Sequence, residues 1–439
     1  MKIAYLTAGA GGMFCGSCLH DNTLAAALIA MGHDALLIPT YTPIRTDEPD
    51  VSQRRVFFGG INVFLQQKSS FFRKTPWFFD RLFDWPRLLR WVSRFAVKTR
   101  AEDLGDLTLS MLRGEHGHQR KEIEKLLRWL KDDVRPEIIV MTNVLLSGLA
   151  PRLRQELSVP IIGTLQGDDV FLEALPDRAR SVAKVLIREN CAALAGFIAT
   201  SRYYADFMAD YLRLPRERIE VVYPGINLQG HGGPRPAASG RPFTIGYFAR
   251  ICPEKGLHVL VEAFRQLKQL PGTPPCRLRV SGWLGENQQP YFKEQKRILA
   301  AAKLLGDFEH VESPDHASKV RFLQQCDVLS VPTVYREPKG LYILEAWANG
   351  VPVVQPRHGS FPELIEATGG GVLVNPEDPA DLAQALGRLI DQPDQARALG
   401  RRGQEAVQSR FHAAAMAQET LKVLEKHLNH SAAESQPRE

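Results

Sequence analysis

Short apolar runs alternate with longer stretches in which apolar residues return every three or four positions, and the alternation continues along nearly the whole chain. Runs rich in β-branched residues and bounded by turn residues predict strands buried on both faces. The 3.6-residue periodicity between them predicts covering helices. A first series of predicted strands covers residues 2–7, 34–39, 137–141, 160–164, 196–200 and 220–223, and a second covers 243–248, 277–281, 328–331, 351–354 and 371–374. Predicted helices include 22–31, 341–349, 381–391 and 395–427. Strands that alternate with helices pair in parallel, so the fold class is α/β, with two Rossmann-like doubly wound sheets. Residues 227–242 are rich in Gly, Pro and small polar side chains and read as a linker. The expected layout is a first domain at 1–226, a second at 243–410, a helix at 411–428 packing back on the first domain, and a disordered polar tail at 429–439. Ligands of such sheets bind beyond the carboxyl ends of the strands, so the two domains are expected to face each other across a cleft.

Composition narrows the class without changing it. With 439 residues, 44% hydrophobic and 24% charged, the chain has the ordinary balance of a folded protein and room for two cores. The first apolar run stops at the glycines from Gly9 to Gly12, too short for a secretory segment, and no apolar run approaches the length that spans a bilayer. Six cysteines, of which only Cys15 and Cys18 lie close together, argue against a disulfide framework and for a reducing, cytoplasmic compartment. The Cys15–Cys18 pair reads as small residues packed in a glycine-rich turn rather than as a redox or zinc motif, since no second pair is spaced for zinc. A net charge of +6 suits an anionic partner: a nucleoside diphosphate, an anionic membrane surface or a nucleic acid.

Candidate chemistry concentrates in the second half. Arg250 and Lys255 follow the strand at 243–248 and precede a helix, where two cations can neutralise a diphosphate. Glu337 sits in a loop before Gly340 and Leu341, whose backbone N–H groups open a helix, and Glu345 lies inside that helix. A phosphate fits between the two carboxylates. Each of these residues taken alone reads as a solvated charge; their order on successive strand ends gives the pattern its weight.

On these residues the chain resembles the GT-B fold glycosyltransferases of family 4. Arg250 and Lys255 match the family's donor-phosphate cations, and Glu337 with Glu345 matches its Glu-x7-Glu motif. The resemblance implies a retaining, metal-independent transferase with no cofactor beyond its nucleotide diphosphate sugar donor. In it Arg250, Lys255 and Glu337 are catalytic, Glu337 touches the transferred sugar, and Glu345 holds the ribose. Backbone N–H groups of Lys339, Gly340 and Leu341 hold sugar and pyrophosphate, and Gly282 lies in a small-residue loop beside the nucleotide. Two positions depart from the family pattern: Ala249 stands where Gly is usual, and Lys339 where an aromatic is often found.

The first half supplies fewer signals. The loop at 9–16 lacks the glycine spacing of a dinucleotide fingerprint, and the strand at 34–39 ends without an acidic ribose ligand, which disfavours NAD. The resemblance gives this loop the distal donor phosphate, through Gly12 or Gly16. Gln166 and Asp168 follow the strand at 160–164 and are acceptor-side candidates, although Asp168 and Asp169 also read as helix caps. An amide does not titrate, so Gln166 is no general base; by the resemblance the departing phosphate accepts the proton. Residues 64–100 interleave Phe and Trp with Arg and Lys, which fits packing and acceptor contact, or peripheral docking on a membrane. The acceptor is a hydroxyl of a carbohydrate, a lipid or another molecule. The rival readings are a nucleotide-sugar epimerase and a non-catalytic sugar-binding protein.

Overall fold

The computed structural model describes residues 1–9, 15–53, 56–57, 101–234 and 240–434, with the side chains of 101–104 and 431–434 left aside. The chain divides into two units, Met1–Val222 with Ala417–Glu439, and Tyr223–Met416.

The first unit carries a six-stranded, all-parallel sheet: β1 (Lys2–Thr7), β2 (Asp34–Pro39), β3 (Ile138–Met141), β4 (Ile161–Leu165), β5 (Gly196–Ala199) and β6 (Ile219–Val221), in the spatial order β2-β1-β3-β4-β5-β6. Ile3, Leu6, Ile138, Ile139, Ile161 and Phe197 are fully buried, as expected of strands covered on both faces. The helix Gly16–Ala30 starts six residues before the predicted one. Its first turns carry His20 and Asp21, which fall before the predicted helix, and Asn22 and Thr23, which open it. All four are buried and hydrogen-bonded, Asn22 to the backbone of Pro49 and Val51 and Thr23 to Glu48. The helix Ala413–Glu434 runs past Asn429, where composition predicts an unstructured tail; Leu424 is buried and His427 is packed against Gly196.

The second unit repeats the plan with β7 (Phe243–Phe248), β8 (Cys276–Ser281), β9 (Phe308–Val311), β10 (Val328–Leu329), β11 (Val353–Pro356) and β12 (Gly371–Val374), in the order β12-β11-β10-β7-β8-β9, again all parallel. The sequence pattern misses β9 because it is a half-exposed edge strand whose Glu309 pairs with Arg279 at 2.7 Å instead of facing a core. The pattern read as one helix over 395–427 breaks at Phe411 into Pro393–Arg410 and Ala413–Glu434. Part of the predicted linker is held on this unit, where His231 Nδ1 lies 2.8 Å from the Asn349 amide, and Ile226, the residue before that linker, bridges to His412. No helix among the described residues is long and apolar enough to cross a membrane.

Candidate active site

In the second unit the strand order reverses between β7 and β10, and at such a reversal the loops after the two strands part and leave a crevice. Arg250 and Lys255 follow β7, and residues 330–340 follow β10, so the sheet brings the predicted cations and the predicted carboxylate to one place. After β7 the chain makes a single 3-10 turn, Pro253–Lys255, and passes through Gly256 at φ +70° into the helix Leu257–Leu267. A Cβ on Gly256 would stand 1.7 Å from the Pro332 carbonyl oxygen, so only glycine lets the two loops touch. Gly282, at φ +123°, serves the neighbouring contact: a Cβ there would meet the Ala249 carbonyl oxygen at 1.9 Å. The Ile251 N–H donates to the Trp283 carbonyl at 2.9 Å, which fixes the loop that carries Arg250.

The consequence is a buried charge cluster. Lys255 Nζ lies 2.7 Å from Glu337 Oε2 and 2.5 Å from the Tyr335 hydroxyl, which itself donates to Glu337 Oε2. Lys255 is 8% exposed and Glu337 4%. The Lys255 ammonium also stands 4.8 Å and 5.1 Å from the ring centres of Tyr335 and Tyr342. The N–H groups of Lys339 and Gly340 both point at Glu337 Oε1, at 3.4 Å, and the Tyr342 hydroxyl reaches Oε2 at the same distance. Burial alone would push the Glu337 carboxyl up, but the Lys255 ammonium, the Tyr335 hydroxyl and the charge of Lys339 outweigh it and hold it at about 2. Glu337 is therefore a permanent anion, while the Tyr335 hydroxyl, raised by burial and by that anion, keeps its proton.

Gly340, at φ +68°, opens the helix Leu341–Ala348, and Glu345 sits one turn inside it, buried. Its Oε1 accepts from Lys319 Nζ at 2.7 Å, and its carbonyl from the Asn349 amide at 2.9 Å. Lys319 is 3% exposed. It lies in the helix His316–Gln324, where a lysine reads as a solvated face, so nothing in the sequence marks it. Arg250, by contrast, is exposed at the rim of the site. Of the second-unit candidates, the structure gathers Lys255, Glu337, Lys339 and Gly340 directly. Leu341 and Glu345 stand on the helix that follows, and Gly282 supports the loop before Arg250 from behind. Among the described residues no three His, Cys, Asp or Glu side chains gather in a metal-binding group.

The first unit has its own polar cluster beyond β1, β3 and β4. Asp21 is fully buried and accepts from Tyr5 at 2.9 Å, Thr7 at 2.8 Å, Thr142 at 2.5 Å and the Gln166 amide at 3.0 Å, with His20 Nδ1 at 3.3 Å. Burial pushes its carboxyl up, yet these hydrogen bonds and the imidazole leave it below the ordinary value. Sequence reasoning missed Asp21, since an aspartate beside a glycine-rich turn reads as part of the loop. The Gln166 amide also donates to the Thr142 carbonyl at 2.8 Å. Asp168 ties two strand-following loops together, accepting from the Val144 N–H at 2.8 Å and the Gln166 N–H at 3.0 Å, while Gly167 takes the helix N-cap position. Gly16 is the first residue of its helix, with Cys15 as N-cap and Cys18 buried one turn in; all six cysteines are thiols. Gly12 and residues 64–100 lie outside the described residues.

Burial pushes the Asp168 carboxyl up to about 6. A carboxyl raised by folding contributes stability below its unfolded range and loses it as pH rises through the folded value. Between pH 6 and pH 5 the wild type is therefore expected to gain about 1 kcal/mol relative to Asp168→Asn, measured by urea unfolding at both values. A pH-independent difference between the two proteins would contradict this.

Comparisons with known proteins agree with the geometry. The family model described as Glycosyl transferases group 1 matches residues 234–406, and that of Glycosyltransferase Family 4 matches 107–229. The chain is 27% identical over 303 residues to a glycogen synthase of Mycobacterium tuberculosis, covering 66% of this chain and 68% of that one. It is 32% identical over 219 residues to the putative colanic acid biosynthesis glycosyltransferase WcaL of Escherichia coli, covering 48% and 52%. Among solved structures, the sucrose-phosphate synthase of Thermosynechococcus elongatus superposes with a TM-score of 0.70 at 19% identity, over 98% of this chain and all of that one. HepE of Anabaena, in complex with UDP, gives 0.68 at 18%, over 97% and 100%. Two six-stranded parallel sheets, a charge cluster at the strand-order reversal and family matches over most of both halves lead to one conclusion: the chain belongs to the family 4 glycosyltransferases and has their GT-B fold.

Proposed function

We propose that this glycosyltransferase takes a sugar from a UDP- or GDP-linked donor bound on the second unit and transfers it, with retained anomeric configuration and without a metal ion, to a hydroxyl acceptor of carbohydrate or lipid chemistry. The observation that carries the reading is the buried Lys255–Glu337–Tyr335 cluster at the strand-order reversal, with exposed Arg250 beside it. When the glycosyl bond breaks, negative charge develops on the leaving diphosphate, and fixed cations in a dry site stabilise it most. Lys255 and Arg250 supply two positive charges without a metal. Glu337, ionised at every working pH, accepts hydrogen bonds from the sugar hydroxyls, and Glu345, steered by Lys319, does the same for the ribose. The departing phosphate takes the acceptor proton, which leaves Gln166 and Asp168 as positioning groups on the acceptor side. That HepE was solved with UDP supports a nucleotide sugar as the donor. Peripheral membrane contact through residues 64–100 and a cytoplasmic location belong to the same reading.

The test is a panel of UDP- and GDP-sugars in EDTA. One of them is expected to raise the unfolding temperature by a few degrees and to yield a product whose anomeric proton coupling matches the donor's. Consumption of the donor into another nucleotide sugar with no acceptor present would point to an epimerase, and a product of inverted configuration would overturn the mechanism. Arg250→Ala, at an exposed position, is expected to lower turnover about a hundredfold with an unchanged unfolding midpoint. Wild-type turnover in that variant would remove Arg250 from the leaving-group site.

A further inference from the structure

Lysine is a compact charge on a flexible four-carbon stem, so a lysine that must meet a leaving group needs something to hold its ammonium in place. In this site Glu337 alone would be a poor holder. A carboxylate 2.7 Å away pulls the ammonium onto itself and neutralises it. The structure adds a second contact of a different kind: the Tyr335 hydroxyl, 2.5 Å from Lys255 Nζ, accepts from the ammonium and donates its own proton to the same Glu337 oxygen. The ring of Tyr335 stands 4.8 Å from Nζ, so stem and head are both confined.

We propose that Tyr335 is a positioning residue that aims Lys255 at the donor diphosphate. An ammonium has three N–H bonds in tetrahedral array. With one directed to Tyr335 and one to Glu337, the direction of the third is set. By donating to Glu337 Oε2, the tyrosine also shares the oxygen that would otherwise hold the ammonium alone, so Lys255 keeps charge to offer a phosphate. The sequence hides this residue: it lies two positions before Glu337, in a loop where an aromatic reads as packing. The proposal rests on the donor-site reading above.

The experiment is calorimetric titration of UDP and of GDP into four full-length proteins: wild type, Tyr335→Phe, Lys255→Met and the double variant. Phenylalanine keeps the half-buried ring and removes one oxygen, so the fold is retained, and the unfolding temperature checks it. Tyr335→Phe is expected to weaken binding of the nucleotide that the wild type prefers by about tenfold, the size of a hydrogen bond to a charged group. Lys255→Met weakens it further, and adding Tyr335→Phe to Lys255→Met changes the affinity less than about twofold, because a residue that acts through Lys255 has nothing left to aim. Wild-type affinity in Tyr335→Phe overturns the proposal. So does a tenfold loss that persists in the Lys255→Met background, since that marks a structural effect independent of the lysine. If the wild type itself binds neither nucleotide, the donor site falls and the proposal with it, an outcome distinct from either of the others.

Discussion

Replacing Lys255 by Met is expected to lower turnover about a thousandfold, the upper range for removal of one group that stabilises developing negative charge. The same change should destabilise the fold by about 3 kcal/mol, because it leaves the Glu337 carboxylate buried without its cation. The two effects separate by pH. In the wild type Glu337 is held at about 2, so its contribution to stability is full above the ordinary carboxyl range and lost as pH falls toward 2. Without Lys255 burial dominates and raises the carboxyl above its unfolded range, and the sign reverses: the variant gains stability as the solution is acidified toward pH 5. Adding Glu337→Gln to Lys255→Met should recover much of the stability and none of the turnover. Urea unfolding at pH 7 and pH 5, run beside turnover assays, checks both halves. Recovery of activity in the double variant would show that the lysine serves the fold alone.

Gly256→Ala is expected to be the most disruptive single-atom change in the second unit. A Cβ at 1.7 Å from the Pro332 carbonyl oxygen cannot be absorbed by a side-chain shift, since the atom it meets is backbone, and φ of +70° adds strain for any L-residue. The loops after β7 and β10 must part, which carries Lys255 away from Glu337 and Tyr335. A loss of more than about 4 kcal/mol in stability is expected, together with loss of nucleotide binding. Wild-type stability measured by chemical unfolding would mean that the contact between these loops is adjustable and that the cluster does not depend on it.

The strands of both sheets could be read from the chain because they are short, apolar and bounded by turns, the pattern that burial on both faces demands. Where the reading failed, burial and local polarity disagreed. Phe308–Val311 pairs at a sheet edge through its backbone while its side chains stay wet, so no apolar run marks it. His20 to Thr23 show the opposite case, polar residues inside a helix, where Asp21, Asn22 and Thr23 bond to other elements and His20 to the adjacent Asp21. The site divides in the same way. Arg250, Lys255, Glu337 and Glu345 stand out by spacing after strands. Lys319, Tyr335 and Asp21 do not, because each acts by touching a residue distant in the chain or beside it in a loop, and only the folded backbone brings them together. Asp168 was legible as a candidate, but its two backbone partners, Val144 and Gln166, were not.

In the proposed reaction the charge released on glycosyl transfer is received by Lys255 and Arg250 on the second unit. A crystal soaked with UDP or GDP tests it most directly. The β-phosphate is expected within hydrogen-bonding distance of both side chains, beside the backbone N–H groups of Lys339 and Gly340, with Glu345 at the ribose. A diphosphate bound elsewhere, or bound here beyond hydrogen-bonding reach of Lys255 Nζ and with Arg250 turned away, would contradict it.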